Sequence, residues 1–193
     1  MNFKFVAGIG SRKTPEPVLE LMEAFGAELA TCGYILRSGA CRGPDQAFER
    51  GCDSVGGDKR IYVPWKGYEG VYSEDLPRIQ IGYTNEALEI AKKYHPNWDA
   101  LSSGGQTLMA RNVHIILGKD LKTSAAFVLC WTPNGSGSGG TGQGIRIARD
   151  YMIPVYDMGH DPHGLISEAT RKVTMAEKRE FVRRLVESKF EPF

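Results

Sequence analysis

Ala125-Ala126-Phe127-Val128-Leu129-Cys130-Trp131, then Gly135-Ser136-Gly137-Ser138-Gly139-Gly140-Thr141-Gly142-Gln143-Gly144, then Ile145 to Tyr156, is the stretch whose reading decides the fold. The first segment is a continuous apolar run of strand length. The second is a loop, the third opens as an amphipathic helix through Tyr151, and Ile153-Pro154-Val155-Tyr156 is a second short strand. Strand, loop, helix and strand in that order make one βαβ unit. Six glycines fall within residues 135–144, more than a connector needs in order to turn. Glycines let backbone N–H groups approach an anion at a helix N-terminus, where the helix dipole favours negative charge.

Working outward, the same rhythm recurs upstream. Phe3 to Ile9 reads as a buried strand, and Thr14-Pro15 as a helix start. Val18, Leu21, Met22, Phe25 and Leu29 repeat at helical spacing up to a terminating Gly33. Tyr34 to Ser38 is the next strand, Pro44-Asp45 opens a helix through Phe48 to Gly51, and Arg60 to Pro64 is a third strand. Alternating strands and helices predict an α/β protein with a Rossmann-like, doubly wound, mainly parallel sheet. Residues 65–105 interrupt the pattern with Trp65, Tyr68, Tyr72, Tyr83, Tyr94 and Trp98 among Gly, Pro and charges. Within them Thr84 caps a helix to Lys93, and the rest reads as peripheral loop or an aromatic lid. Gln106 to Leu117 is a further helix. Thr174-Met175-Ala176-Glu177 is a capping box that starts an additional C-terminal helix through Ser188, whose many charges read as a solvated face. The expected organisation is a domain at 1–160, with the loop-rich insertion at about 65–105. A tail and helix at 161–193 would pack on the same domain or on a second subunit.

Composition narrows the class. The chain has 193 residues, 24 Lys+Arg against 23 Asp+Glu and a formal net charge of +1, which gives no global case for nucleic acid. No apolar run approaches the ~20 residues that span a membrane. Nothing at the N-terminus resembles a signal peptide, and the four cysteines lack CxxC spacing, so reduced thiols and a cytoplasmic location are expected. Asp157, His160, Asp161 and His163 include a His-x-x-His pattern, read as solvated turn residues. No metal site and no cofactor are expected.

Three glycine-containing loops follow three strands: Gly8-Ile9-Gly10-Ser11-Arg12, Ser38-Gly39-Ala40-Cys41-Arg42-Gly43, and the long one from Gly135. In a parallel sheet all three lie at the carboxyl ends of strands and can converge on one crevice. Arg12 and Arg42, each just beyond a strand end, are candidates for phosphate contacts. The dinucleotide fingerprint Gly-x-Gly-x-x-Gly is absent, since Lys13 stands at its third glycine.

The segments Ala7-Gly8-Ile9-Gly10-Ser11-Arg12 and Ser38-Gly39-Ala40-Cys41-Arg42-Gly43-Pro44-Asp45-Gln46-Ala47-Phe48 resemble the SLOG superfamily of Rossmann-like proteins, above all its DprA/Smf branch. Ala110-Arg111-Asn112-Val113-His114-Ile115-Ile116 is similar to that branch's Arg-Asn-Arg-Ile-Ile helix. The resemblance covers about residues 3–63 and 106–159. It implies nucleotide binding at the glycine loops, with Gly10, Ser11, Arg12, Ser38, Gly39, Ala40, Arg42, Arg111, Asn112, Gly139, Gly140, Thr141 and Gly142 as ligand-binding candidates. The backbone amides near Ser11, Gly39 and Gly139 to Gly142 would hold phosphate. The superfamily includes LOG-type (lonely guy) phosphoribohydrolases, whose signature Gly-Gly-x-Gly-Thr-x-x-Glu falls on Gly139 to Arg146. There Gln143 takes the threonine position and Arg146 replaces the catalytic glutamate, and an arginine cannot act as a carboxylate base.

The expected function is therefore binding of a nucleotide or nucleotide-derived small molecule, as a sensor or sequestering protein. The first alternative is an N-glycosidase of nucleotides, with Asp45 and Glu49, one helical turn apart, as its carboxylates. The second is single-stranded DNA binding of the DprA type, for which Arg12, Lys13, Arg37, Arg42, Arg60 and Lys66 are the basic candidates. A homo-oligomer is expected by analogy with related folds.

Overall fold

The structure is a computed structural model that describes residues 4–75, 77–161, 164–172 and 174–189. Phe3 of the expected first strand and His163 of the His-x-x-His pattern lie outside the described residues. The strands are β1 (Lys4–Gly8), β2 (Tyr34–Ser38), β3 (Lys59–Val63), β4 (Ile79–Ile81), β5 (Phe127–Cys130) and β6 (Val155–Asp157). The helices are α1 (Glu16–Thr31), α2 (Pro44–Ser54), α3 (Asn85–Tyr94), α4 (Ser103–Leu117), α5 (Gly139–Asp150), α6 (Leu165–Thr170) and α7 (Met175–Lys189). The sheet order is β4-β3-β2-β1-β5-β6, and every pairing is parallel. The chain winds outward from β1 to β4, then crosses back to continue on β1's other side with β5. That reversal opens a crevice at the carboxyl ends of β1 and β5.

Both faces of the sheet are covered, which is why its strands read as near-continuous apolar runs. Side chains alternate along β1: Val6 joins Leu21, Met22, Phe25 and Phe48 on the α1/α2 side, and Ala7 joins Val113, Ile116 and Ile147 on the α3/α4/α5 side. Leu21, Met22, Phe48, Ile115 and Ile116 are completely buried. Each such side chain contributes about 1.5–3 kcal/mol relative to exposure.

His114 also belongs to this interior, and it is paired. Its Nε2 accepts from the Thr84 amide at 3.3 Å, and its Nδ1 lies 3.0 Å from the Gly118 carbonyl, to which it donates in the matching tautomer. Burial lowers its pKa, keeping the ring neutral. The Thr84 hydroxyl in turn accepts from the Ala87 amide at 3.1 Å and starts α3, as its cap position predicts.

Two differences from the sequence reading have clear causes. The sequence around β4 reads as loop. Its three half-buried residues, Ile79-Gln80-Ile81, are too few to establish a period, and it is held by register with Ile61-Tyr62-Val63. The charges of α7 read as a solvated face, but where the helix lies against α1 two of them are engaged. Val182 and Val186 are buried, Lys178 meets Glu20 at 2.6 Å, and Arg179 meets Glu28 at 2.6 Å. Among the described residues no helix is long and apolar enough to cross a membrane.

Candidate functional site

The crevice at the topological switch holds a cavity of about 410 Å³. Its walls come from four places: the β1–α1 loop (Ile9 to Lys13), Cys41 and Asp45 at the start of α2, Tyr68, and two facing helices. The helices contribute Leu108, Met109, Arg111 and Asn112 from α4, and Ser138, Gly139, Gly140, Thr141 and Gly144 from the first turns of α5.

α5 begins at Gly139, six residues before the amphipathic pattern becomes visible. Much of the glycine-rich segment is thus helix rather than loop. Gly142 is needed there for close packing, because a Cβ would stand 1.8 Å from the Gly137 carbonyl oxygen. The loop before the helix is pinned from below by Asp157, whose carboxylate accepts from the amides of Thr132 and Gly159, each at 2.9 Å, and from the Thr132 hydroxyl. That hydroxyl then accepts from the Gly137 amide at 3.0 Å. Gly142 donates to the Ser138 carbonyl at 3.1 Å, and no side chain caps α5. The amides of Gly139, Gly140 and Thr141 therefore have no acceptor among the described residues, and they edge the cavity with the positive end of a twelve-residue helix.

Asp45 closes the opposite side. Its Oδ2 accepts from the amides of Gly39 at 3.2 Å and Cys41 at 3.3 Å, which shapes the β2–α2 turn, and Ala40 between them is held at a left-handed φ of 59°. Burial pushes the Asp45 carboxyl up to about 6, against the opposing pull of Arg111 and of these two amides. Arg111 is buried and donates from Nη1 to the carbonyls of Gly39 and, at 3.0 Å, Tyr62. Its Nε is buried without a partner among the described residues. Arg12 spans the mouth, donating from Nε to Cys41 Sγ at 3.4 Å. That contact, reinforced by Tyr68, raises its pKa further and keeps it a cation.

Of the residues singled out in the sequence, Gly10, Ser11, Arg12, Arg111, Asn112, Gly139, Gly140, Thr141 and Asp45 meet at this cavity. Lys13, one of the basic candidates, joins them, and Ser38, Gly39, Ala40, Arg42, Gly142 and Glu49 do not line it. Ser38 donates its hydroxyl to the Gly8 carbonyl at 2.7 Å, tying β2 to β1. Gly39 and Ala40 form the turn behind the wall. Gly142 is packed under the loop, and Arg42 points away into an ion pair with Glu69 at 2.8 Å. The amide pattern is corrected as well: Ser11 N–H is taken by the Trp131 carbonyl at 3.0 Å, Gly39 N–H by Asp45, and Gly142 N–H by Ser138. That leaves the amides at residues 139–141.

Glu49 lies one turn further along α2, outside the cavity, 3.5 Å from Lys59. Burial pushes it up to about 7 despite Lys59, and its Oε1 has no partner among the described residues. Asp45 and Glu49 therefore do not form a carboxylate pair around one space. Arg146 donates to the Tyr94 carbonyl at 2.8 Å and ties α5 to the end of α3. The basic set is dispersed too. Arg37 is buried over the Phe5 ring with its Nη1 2.6 Å from the Thr123 carbonyl, Arg60 pairs with Asp58 at 2.7 Å, and only Arg12 and Lys13 reach the cavity.

Cys41, Tyr68, Leu108 and Met109 line the cavity but were not among the sequence candidates. Tyr68 belongs to the aromatic stretch read as peripheral loop or lid, and it alone of those six aromatics is a lining residue. Asp157 and His160 hold the turn after β6, and among the described residues no cluster of three or more ligating side chains occurs.

The sheet order and the crevice at its reversal define a Rossmann-like α/β protein. Two solved structures share that fold. The structure of the Moco carrier protein of Chlamydomonas reinhardtii matches with a TM-score of 0.51 at 15% identity, over 96% of this chain and 99% of that one. A second structure, of the molybdenum cofactor carrier protein MCP from the same organism, matches with a TM-score of 0.50 at 15% identity, over 95% and 98%. No family model and no curated protein matches the sequence.

Proposed function

We propose that this chain binds a nucleotide or nucleotide-derived small molecule in the cavity and holds it without cleaving it. The observation that carries the reading is the charge around the space. Arg12, Lys13 and Arg111 face it with one carboxylate, Asp45, and three unpartnered amides of α5 add to the cations. Such a lining favours an anionic group, and phosphate suits amides at a helix N-terminus. The cavity volume is in the range of small-molecule sites. A holding role is supported by Arg146, which occupies the position of the hydrolase glutamate and is engaged with Tyr94, and by Glu49 standing outside the space. It is also in keeping with the two fold neighbours, which are molybdenum cofactor carrier proteins. The dispersal of Arg37, Arg42 and Arg60 speaks against a single-stranded DNA groove.

The direct test is mass spectrometry of small molecules released on denaturing the purified protein. It is paired with thermal shifts against nucleoside monophosphates and the molybdenum cofactor. The expected result is a phosphorylated ligand and a raised Tm with no free base produced. If no compound shifts the Tm and none is released, the reading fails. A second reading, N-glycosidic hydrolysis, rests on Asp45 alone, a cavity carboxyl that burial pushes up to about 6. It requires free base to appear and Asp45→Asn to abolish it.

A further inference from the structure

The four cysteines sit in unlike surroundings, and only the Cys41 thiol reaches the cavity. All four are free, and among the described residues no second cysteine lines that space. Cys52 and Cys130 are buried, and burial pushes both thiols up, that of Cys52 to about 11. Cys32 is exposed, yet partial desolvation and the carboxylates of Glu28 and Glu187 raise its pKa too. Cys41 is half-buried, and the Arg12 guanidinium donates from Nε to its Sγ at 3.4 Å. A partly exposed sulfur beside a cation is the setting of a reactive thiol, whereas apolar burial makes a thiol inert.

The backbone around that sulfur is fixed. The Cys41 amide donates to Asp45 Oδ2 at 3.3 Å, and the Cys41 carbonyl accepts from the Gln46 amide at 3.3 Å. Asp45 is 4% exposed and lines the same space. Both of its amide contacts fall on Oδ2, so Oδ1 has no hydrogen-bond partner among the described residues, and it is not among the polar atoms sealed from solvent. A carboxylate oxygen left open on a cavity is a place for a donor. Arg12 and Lys13 line the same space with the opposite charge. The surroundings of Sγ therefore offer two cations for carboxylates and one carboxylate for an ammonium or amide N–H.

We propose that Cys41 is a modification site, at which a low-molecular-weight disulfide of amino-acid type forms a mixed disulfide inside the cavity. Sγ attacks one sulfur of the small disulfide. The new Sγ–S bond forms as the old S–S bond breaks, and the leaving sulfur departs as a thiolate that takes up the proton shed by Cys41. Cys41 is oxidised and one half of the small disulfide is reduced, so no further oxidant enters. Arg12 and Lys13 draw the carboxylates of the incoming molecule, and Asp45 receives its ammonium or amide N–H. The cavity, about 410 Å³, holds the half that stays attached. With no second cysteine lining the space, the adduct is removed by an external thiol rather than resolved within the chain. The exchange involves no nucleotide and stands whether or not the nucleotide reading holds.

The probes are oxidised glutathione and the neutral hydroxyethyl disulfide, each incubated with the full chain, and adducts are located and timed by peptide mass spectrometry. Every rate is divided by that of the same cysteine in the denatured chain, which removes the intrinsic difference between the two disulfides. On this scale Cys41 is expected to take oxidised glutathione about tenfold faster than Cys32 does, and about tenfold faster than Cys41 takes hydroxyethyl disulfide, as local charge steering provides. Cys52 and Cys130 react only after denaturation. Raised salt and Arg12→Gln should each shrink the preference of Cys41 for glutathione. The salt series uses the wild-type protein, so it decides the matter even if Arg12→Gln does not fold. Cys41→Ser loses the fast adduct and Cys32→Ser keeps it. Equal scaled rates at Cys41 and Cys32, or equal rates of Cys41 with the two disulfides, overturn the proposal.

Discussion

Arg111 occupies the space in which any side chain at residue 39 would stand: a Cβ built on Gly39 falls 1.6 Å from Arg111 Nη1. The glycine of the β2–α2 loop therefore makes room for a buried guanidinium that holds the Gly39 and Tyr62 carbonyls behind the cavity wall. Gly39→Ala must displace that guanidinium, and it is expected to lower stability by about 3–5 kcal/mol, the range for disrupting a buried charge. Gly56 is the control. It has a left-handed φ of 67° with nothing near its Cβ, so Gly56→Asn should stay within about 1 kcal/mol. Chemical denaturation of the two variants side by side measures the difference.

Asp45 makes stability depend on pH in an identifiable direction. Its carboxyl is raised from an unfolded value of 3.8 to about 6, so the folded state binds the proton more tightly than the unfolded one. The stabilisation is fully present below pH 3.8 and is lost as pH rises through about 6. Two pKa units correspond to roughly 3 kcal/mol. Asp45→Asn removes this dependence, so the stability of the variant relative to wild type should rise by about that amount between pH 3.8 and 6.5. Denaturant titrations across that range test it, and parallel curves for the two proteins would refute the burial argument.

Asp157 organises the loop ahead of α5 without lining the cavity. It accepts from both the amide and hydroxyl of Thr132 and from the Gly159 amide. Asp157→Ala should cost about 2–3 kcal/mol through the stranded donors. It should also speed hydrogen exchange at the Gly137 amide, whose acceptor is the Thr132 hydroxyl. Faster exchange at Gly137 with no change at the Leu129 amide in the sheet is the expected signature.

The α1–α7 contact separates buried from exposed charge. Glu28, 4% exposed, receives Arg179 at 2.6 Å and Arg183 at 3.6 Å, whereas Glu180 pairs with Arg183 and Arg184 in solvent. Glu28→Ala is expected to destabilise by about 2–4 kcal/mol and Glu180→Ala by less than about 0.5 kcal/mol. Thermal unfolding of the two variants checks the ratio. Similar small losses would mean that α7 adds little to the fold.

The layered architecture could be read in advance because its signals are local. Apolar runs at Phe5 to Ile9, Tyr34 to Ser38 and Ala125 to Trp131, separated by segments of helical period, specify buried parallel strands and crossover helices with one topology class. Strand polarity puts Gly10-Ser11-Arg12 and Gly139-Gly140-Thr141 at the same edge of the sheet, and the adjacency of β1 and β5 brings them together. β4 was not legible because three residues show no period, and the start of α5 was hidden because glycines carry no helical preference.

The sequence by itself determined the doubly wound parallel class and set its three glycine loops at the carboxyl ends of the strands, since both follow from periodicity and chain direction. Which side chains face the space between those loops was decided only in three dimensions. Arg42 and Arg12 follow strand ends in similar glycine-flanked settings, yet one turns to Glu69 and the other to Cys41. Asp45 and Glu49 share a helix face by spacing, but only Asp45 reaches the cavity, because Glu49 lies one turn further along α2, beside Lys59. Tyr68, distant in sequence from every glycine loop, enters beside Arg111 through packing of the segment after β3. Partner choice among charged and aromatic groups depends on neighbours brought in from elsewhere in the chain, and no local pattern encodes them.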